Sequence, residues 1–278
     1  MSEGQEDGTE DKEGIHELPQ EAPVGEDPIK YLKMDDEIID FELTANRGDL
    51  LSVLGMAHEV AAIYNKKVKN IDLQYDENNR NITDEFNIKV ETENCSMLLV
   101  KKVENVKIKE SPLFIKNRLI ASGIRPINNV VDISNYVMLE LGQPLHFYDA
   151  DKLKGVLEVR MANNNEKLTT LDNIQRVLTS DDIVISNGEQ AIGLAGVMGG
   201  LDTEITENTK NVIIESAIFD SVKVRKTSKE KYSGKVRGEM EKEEKRAVQE
   251  NGTKEQSTEE KSPLKRKLQY SNMNYYFY

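Results

Sequence analysis

The sequence predicts an α+β fold of mixed, mostly antiparallel sheets with packed helices and disordered termini, and three observations carry that prediction. Short apolar segments at 156–161, 167–171, 175–178 and 183–186 are separated by Asn, Asp and Gly clusters, the pattern of antiparallel strands joined by tight turns. Stretches ending near residues 64 and 141 instead repeat their apolar residues at three- and four-residue steps, as amphipathic helices do. Both ends of the chain are charged and too poor in apolar groups to offset the entropy of ordering.

Taken in order, residues 1–14 read as a disordered acidic tail, and the proline-containing run from 15 to 25 reads as a rigid extended connector. His16 on that polar run is expected at the surface. Residues 37–43 alternate Ile, Asp, Phe, Glu and Leu like a strand. Asp49 is placed to cap a helix from 50 to about 64, with Leu51, Leu54, His58 and Ala61 or Ala62 on its inner side and His58 in a structural role. A polar loop follows over 72–84, then strands over 86–90 and 97–106. Pro112 opens a helix that would bury Leu113, Ile115, Leu119 and Ile120 while Lys116 and Arg118 face outward. Gly123 and Pro126 make a turn, after which Val130, Ile133, Val137 and Leu141 form the expected buried stripe of a helix, with Asp132, Asn135 and Glu140 off that stripe. Gly142 can close this helix in a left-handed conformation, and Pro144 forbids its continuation, so His146 follows a fixed corner. The organisation expected is a linker and first part of one module over 15–110, its core over 111–228, and a divergent, disordered tail over 229–278.

Composition narrows the function classes. The 278 residues and 37% hydrophobic content suffice for a real core. No run of about eighteen apolar residues is present and the N-terminus is acidic, so neither membrane insertion nor secretion is indicated and a cytoplasmic location is the expectation. The single cysteine, Cys95, is expected as a buried apolar residue, and the three histidines show no metal-ligand spacing. From Arg225 onward 14 basic residues face 9 acidic ones, which leaves −18 on the preceding body of a chain whose net charge is −13. Affinity for phosphates scales with Lys and Arg, so any RNA would have to be held mostly elsewhere, and no DNA partner is indicated.

The chemistry-bearing stretch is 125–149, where amide, hydroxyl, carboxylate and imidazole groups interrupt an apolar run. Burying such groups is costly unless each has a partner, so the stretch reads as the lining of a site. The glycine-rich Ala195-Gly196-Val197-Met198-Gly199-Gly200 lacks the Gly-Lys-Ser/Thr of a phosphate loop, and leaves room either for a ligand or for close backbone approach at a strand irregularity. Glu215 lies in the apolar strand Val-Ile-Ile-Glu-Ser-Ala, where a carboxylate must be paired, hydrogen-bonded or raised in pKa.

Val-Val-Asp-Ile-Ser-Asn-Tyr-Val-Met-Leu-Glu-Leu-Gly-Gln-Pro-Leu-His, residues 130–146, closely resembles the beta subunit of bacterial-type phenylalanyl-tRNA synthetase, in the module that carries its editing site. Thr44-Ala45-Asn46-Arg47-Gly48-Asp49 before it, and Ala195–Gly200 through Ile214-Glu215-Ser216-Ala217 after it, fit in the same order, and the resemblance covers roughly 13–229. It implies a synthetase editing-domain fold whose pocket, lined by Ser134, Asn135, His146, Gly199 and Glu215, receives tyrosine wrongly esterified to tRNA(Phe). The implied chemistry is ester hydrolysis. Glu215 would accept the phenolic proton with His146 orienting it, Asn135 and Ser134 would position the ester and a water, and Gly196 and Gly199 would leave room for the ring.

The resemblance implies no metal or nucleotide for this step; ATP and magnesium belong to the synthetic site of the parent enzyme. Its partners would be tRNA(Phe) and the alpha, catalytic subunit. After Arg225-Lys-Thr-Ser-Lys the family continues with Gly-Leu-Arg-Ser/Thr-Glu-Ala-Ser and then Arg-Phe-Glu-Lys-Gly, and this chain departs from both runs. The reading is a fragment, C-terminally truncated or frame-shifted after Lys229, that does not aminoacylate alone. A noncatalytic binding remnant with an incomplete pocket is the alternative, and a freestanding trans-editing factor a third.

Overall fold

The computed structural model describes residues 18, 20, 22–72, 74–78 and 80–232. The helices are α1 (Pro28–Tyr31), α2 (Val53–Ile63), α3 (Leu113–Ala121), α4 (Asn129–Leu141) and α5 (221–232). The strands are β1 (Asn87–Val90), β2 (Cys95–Val103), β3 (His146–Asp149), β4 (Val156–Met161), β5 (Lys167–Thr169), β6 (Gln175–Val177), β7 (Ile183–Ser186), β8 (Ala191–Leu194), β9 (Met198–Gly199) and β10 (Val212–Phe219). This is the expected α+β class. The five-stranded sheet runs β1-β4-β7-β8-β9, a three-stranded sheet runs β2-β10-β3, and β5 pairs with β6. β1 pairs with β4 in parallel, while the β4–β7, β7–β8, β8–β9 and β5–β6 pairs are antiparallel.

Two compact units divide the described residues. One takes the chain up to residue 78 with Val103–Phe147 and Ile205–Ser216; the other takes Arg80–Lys102, Tyr148–Glu204 and the chain from Ala217 onward. In the first, Leu119 and Ile115 of α3 are buried, and Val130 of α4 packs with Ile205, Val212 and Phe147. In the second, Leu168, Leu178, Val184, Leu194 and Val197 form a core against which Val224 and Tyr232 of α5 pack. Core strands here are apolar on both faces, as β7 and β8 show by being buried at every position.

Several expectations are corrected. Residues 37–43 form no strand: Ile38 and Ile39 are exposed, and period-two alternation makes a strand only where a second strand supplies hydrogen bonds. Asp49 does not cap α2. Its carboxylate instead accepts from the Arg47 guanidinium at 2.9 Å, and Ser52 caps the helix by accepting from Gly55 N at 3.0 Å. Leu51 and His58 are exposed, as are Leu113 and Ile120 of α3. Residues 229–232, expected in the tail, continue α5, where Lys231 Nζ donates to the Val177 carbonyl at 2.9 Å and the Arg176 guanidinium lies 3.9 Å from the Tyr232 ring centre. The tail readings for 1–14 and for 233–278 lie outside the described residues.

Candidate functional site

The largest correction concerns α4. Of the predicted apolar stripe, Ile133 is 43% exposed and Leu141 is also exposed, while Asp132, Ser134 and Asn135 are buried. Val130 of the stripe is buried as expected and Met138 joins it, but polar side chains share that inner face, which a rule based on apolar spacing leaves out. The helix is held at its start by Asn128, whose side chain accepts from the Val130 and Val131 amides, both at 3.1 Å. Asp132 accepts from Ser111 Oγ at 2.5 Å and from Ile127 N at 2.7 Å, so its buried carboxylate is hydrogen-bonded on both oxygens. Asp132 is a structurally important residue that sequence reasoning set aside; its partner Ser111 lies in another segment, and nothing local announces the pair.

At the far end Gly142 has φ 80, as the C-terminal closure requires, and its amide donates to Met138 O at 2.8 Å. Ser134 Oγ donates to the Leu145 carbonyl at 2.9 Å. That single hydroxyl proton is therefore committed, and Ser134 can offer a ligand only lone pairs. Asn135 is 5% exposed, and its carboxamide makes no hydrogen bond to another described residue.

His146 and Glu215 lie on adjacent strands, β3 and β10. Phe147 and Val212 pack in one apolar cluster and so share a sheet face. Side chains alternate along a strand, and the offsets from Phe147 to His146 and from Val212 to Glu215 are both odd. The parity of these positions therefore places the imidazole and the carboxylate on the opposite face of the sheet. Glu215 is 6% exposed and His146 is half-buried. Burial pushes the His146 imidazole down to about 4, because removal from water disfavours its cationic form. It is accordingly neutral at physiological pH, able both to donate and to accept a hydrogen bond.

Gly196 and Gly199 belong to the other unit. Gly196 has φ 65, and a side chain there would meet Phe219 and Val224 at 3.3 Å, so this chain's own side chains fill the room expected for a substrate ring. Gly199 in β9 pairs with Gly193 of β8, the Gly199 Cα lying 3.7 Å from where a Gly193 side chain would begin. Gly200 is the tightest position: a Cβ would lie 2.4 Å from the Ile192 carbonyl oxygen. At Gly196 and Gly200, then, close internal packing accounts for the glycines. The structure brings Ser134, Asn135, His146 and Glu215 into one unit. Among the described residues there is no group of three His, Cys, Asp or Glu side chains that could hold a metal ion, and no helix is long and apolar enough to cross a membrane.

Comparison with known proteins gives a match of residues 94–259 to the B3/4 domain family, a span that runs past Lys229. A phenylalanine--tRNA ligase beta subunit from Fusobacterium nucleatum is 44% identical over 223 residues, covering 80% of this chain and 28% of that protein. One from Staphylococcus aureus is 47% identical over 218 residues, covering 78% of this chain and 27% of that protein. The chain thus spans little more than a quarter of the length of these relatives. A solved N-terminal fragment of the phenylalanyl-tRNA synthetase beta subunit from Pyrococcus horikoshii aligns with a TM-score of 0.38 at 16% identity, over 64% of this chain and 54% of that one.

Proposed function

We propose, from the premise that this chain belongs to the B3/4 domain family, that it is a portion of a phenylalanine-tRNA ligase beta subunit whose module hydrolyses tyrosine wrongly esterified to tRNA(Phe). The observation that carries this reading is that His146 and Glu215 stand on one face of adjacent strands, Glu215 buried and His146 half-buried. Tyrosine differs from phenylalanine by one phenolic hydroxyl. A buried carboxylate and a neutral imidazole can complete that hydroxyl's hydrogen bonds, and a site built to do so rejects a ligand lacking it by up to about 10⁴-fold to 10⁵-fold.

In the proposed step Glu215 accepts the phenolic proton in a hydrogen bond and His146 orients that contact. The buried Asn135 carboxamide, free of other described partners, positions the ester carbonyl and a water molecule. Water adds to the carbonyl carbon, the bond to the ribose oxygen breaks, and tyrosine and the free tRNA leave with the ribose oxygen protonated. Gly196 is given to packing within its own unit. The step is assigned no metal or nucleotide, and ATP and magnesium are left to the synthetic site of the longer enzyme. The partners proposed are tRNA(Phe) and the alpha subunit, in tRNA aminoacylation for translation, and the chain alone is not expected to form the aminoacyl bond.

The test is hydrolysis of tyrosyl-tRNA(Phe) and phenylalanyl-tRNA(Phe) by the 278-residue chain and by Glu215→Gln and Asn135→Ala. Glu215→Gln should lower the preference for the tyrosyl ester by about 100-fold or more, and Asn135→Ala should lower the rate on both esters. Equal rates for all three proteins would remove the hydrolytic assignment, and tRNA binding without turnover would leave a noncatalytic module in its place.

A further inference from the structure

We infer that Ser134 is a positioning residue whose hydroxyl, by clamping the Leu145 carbonyl, fixes the backbone from which His146 begins β3. The clamp has a rigid base. Asn128 caps α4, and Asp132 ties its first turn to Ser111 Oγ at 2.5 Å and to Ile127 N at 2.7 Å. Ser134 lies on this anchored helix, is 7% exposed, and reaches Leu145 O at 2.9 Å. The segment between helix and strand is pinned at its other end by Gly142, whose amide donates to Met138 O at 2.8 Å, and is stiffened by Pro144.

The physical consequence follows from peptide planarity. The Leu145 carbonyl shares its plane with the His146 amide, so holding that oxygen sets the orientation of the peptide that leads into His146 Cα. The direction of the imidazole from the sheet is thereby set from the helix. Without the clamp the corner would keep Gly142 and Pro144 but gain freedom in the residue just before the imidazole. A displacement near 1 Å at such a group can cost about 100-fold in rate. The role given to Ser134 differs from a substrate contact, because its only proton is already donated within the protein. Its consequence for catalysis rests on the hydrolytic reading above, but the clamp itself does not.

The test compares the 278-residue chain with Ser134→Ala, which removes the hydroxyl, and Ser134→Thr, which keeps it. One readout is the titration of the His146 imidazole by proton NMR, with its signal assigned through His146→Gln. The second is kcat and KM for tyrosyl-tRNA(Phe). Neither substitution alters Glu215, the buried charged residue of the neighbouring strand β10, or Asp132, the buried charged residue of α4.

Ser134→Ala should move the His146 midpoint upward from about 4 by about 1 as the ring gains water. It should also lower kcat by about tenfold to 100-fold with KM little changed, and Ser134→Thr should retain both values of the parent chain. An unmoved midpoint in Ser134→Ala, or a rise in KM at constant kcat, would overturn the inference. So would a Ser134→Thr protein no better than Ser134→Ala. A moved midpoint in a chain that shows no hydrolysis would support the clamp and refute the hydrolytic reading instead. If Ser134→Ala does not fold, Ser134→Cys, a weaker donor of similar size, gives the same readouts.

Discussion

The withdrawal of His146 from water makes the folded state acid-sensitive in a defined window. Its folded pKa lies near 4, against about 6.5 for an unperturbed imidazole. Both states are neutral above 6.5, so the contribution to stability is complete there. As pH falls below 6.5 the unfolded chain takes up the proton first, and stability is lost progressively until pH reaches about 4. Between pH ~7 and pH ~4.5 this linkage amounts to about 2.5 kcal/mol, which partial exposure of the residue reduces to about 2 kcal/mol. The assay is urea unfolding of the chain and of His146→Gln at those two values. The other two histidines are common to both proteins, so their effect cancels in the difference. The chain should lose about 2 kcal/mol more than the variant. Equal losses would refute the placement of the imidazole away from water. Stopping at pH ~4.5 keeps the measurement clear of Glu166, held down to about 2 chiefly by its hydrogen bonds from the Arg160 guanidinium, whose stabilisation is lost only as pH falls below about 4.5.

Other substitutions test the surrounding scaffold. Leu119→Ala should lower unfolding stability by about 2–5 kcal/mol in chemical denaturation, because the side chain is fully buried in its unit. Gly200→Ala should cost about 1–3 kcal/mol or prevent soluble expression, since its Cβ would press on the Ile192 carbonyl backbone. Asp182→Ala should cost about 3 kcal/mol, because the buried carboxylate accepts from Thr179 N at 2.9 Å and Thr227 Oγ1 at 2.7 Å; protease resistance of α5 should fall with it, and an unchanged digestion pattern would argue against its anchoring role.

Much of the architecture was legible in the chain. The strands at 156–161 and 183–186 appear with the bounds the apolar runs indicate, and α4 ends at Gly142 followed by Pro144 as its stop signals require. These features are local, since turn chemistry and chain stiffness act within a few residues. The strand expected over 37–43 fails for the converse reason, that alternation supplies a pattern but no partner. The inner face of α4 is legible only in part: Val130 is buried as its spacing indicates, whereas Ile133 and Leu141 have the same spacing and are exposed. What decides the matter is where hydrogen-bond partners stand for Asp132 and Ser134, and these come from Ser111, Ile127 and Leu145.

By itself, then, the sequence determined the fold class, the closure of α4 and the identity of the polar groups that chemistry would need. It also carried the resemblance that the family match bears out. Tertiary structure alone decided that His146 and Glu215 share a face, that Ser134 spends its proton on Leu145, and that Gly196 is filled by Phe219 and Val224. Each of these depends on partners brought together from distant parts of the chain. A residue's type sets what bonds it can make, and only the packed fold sets which of them are already taken.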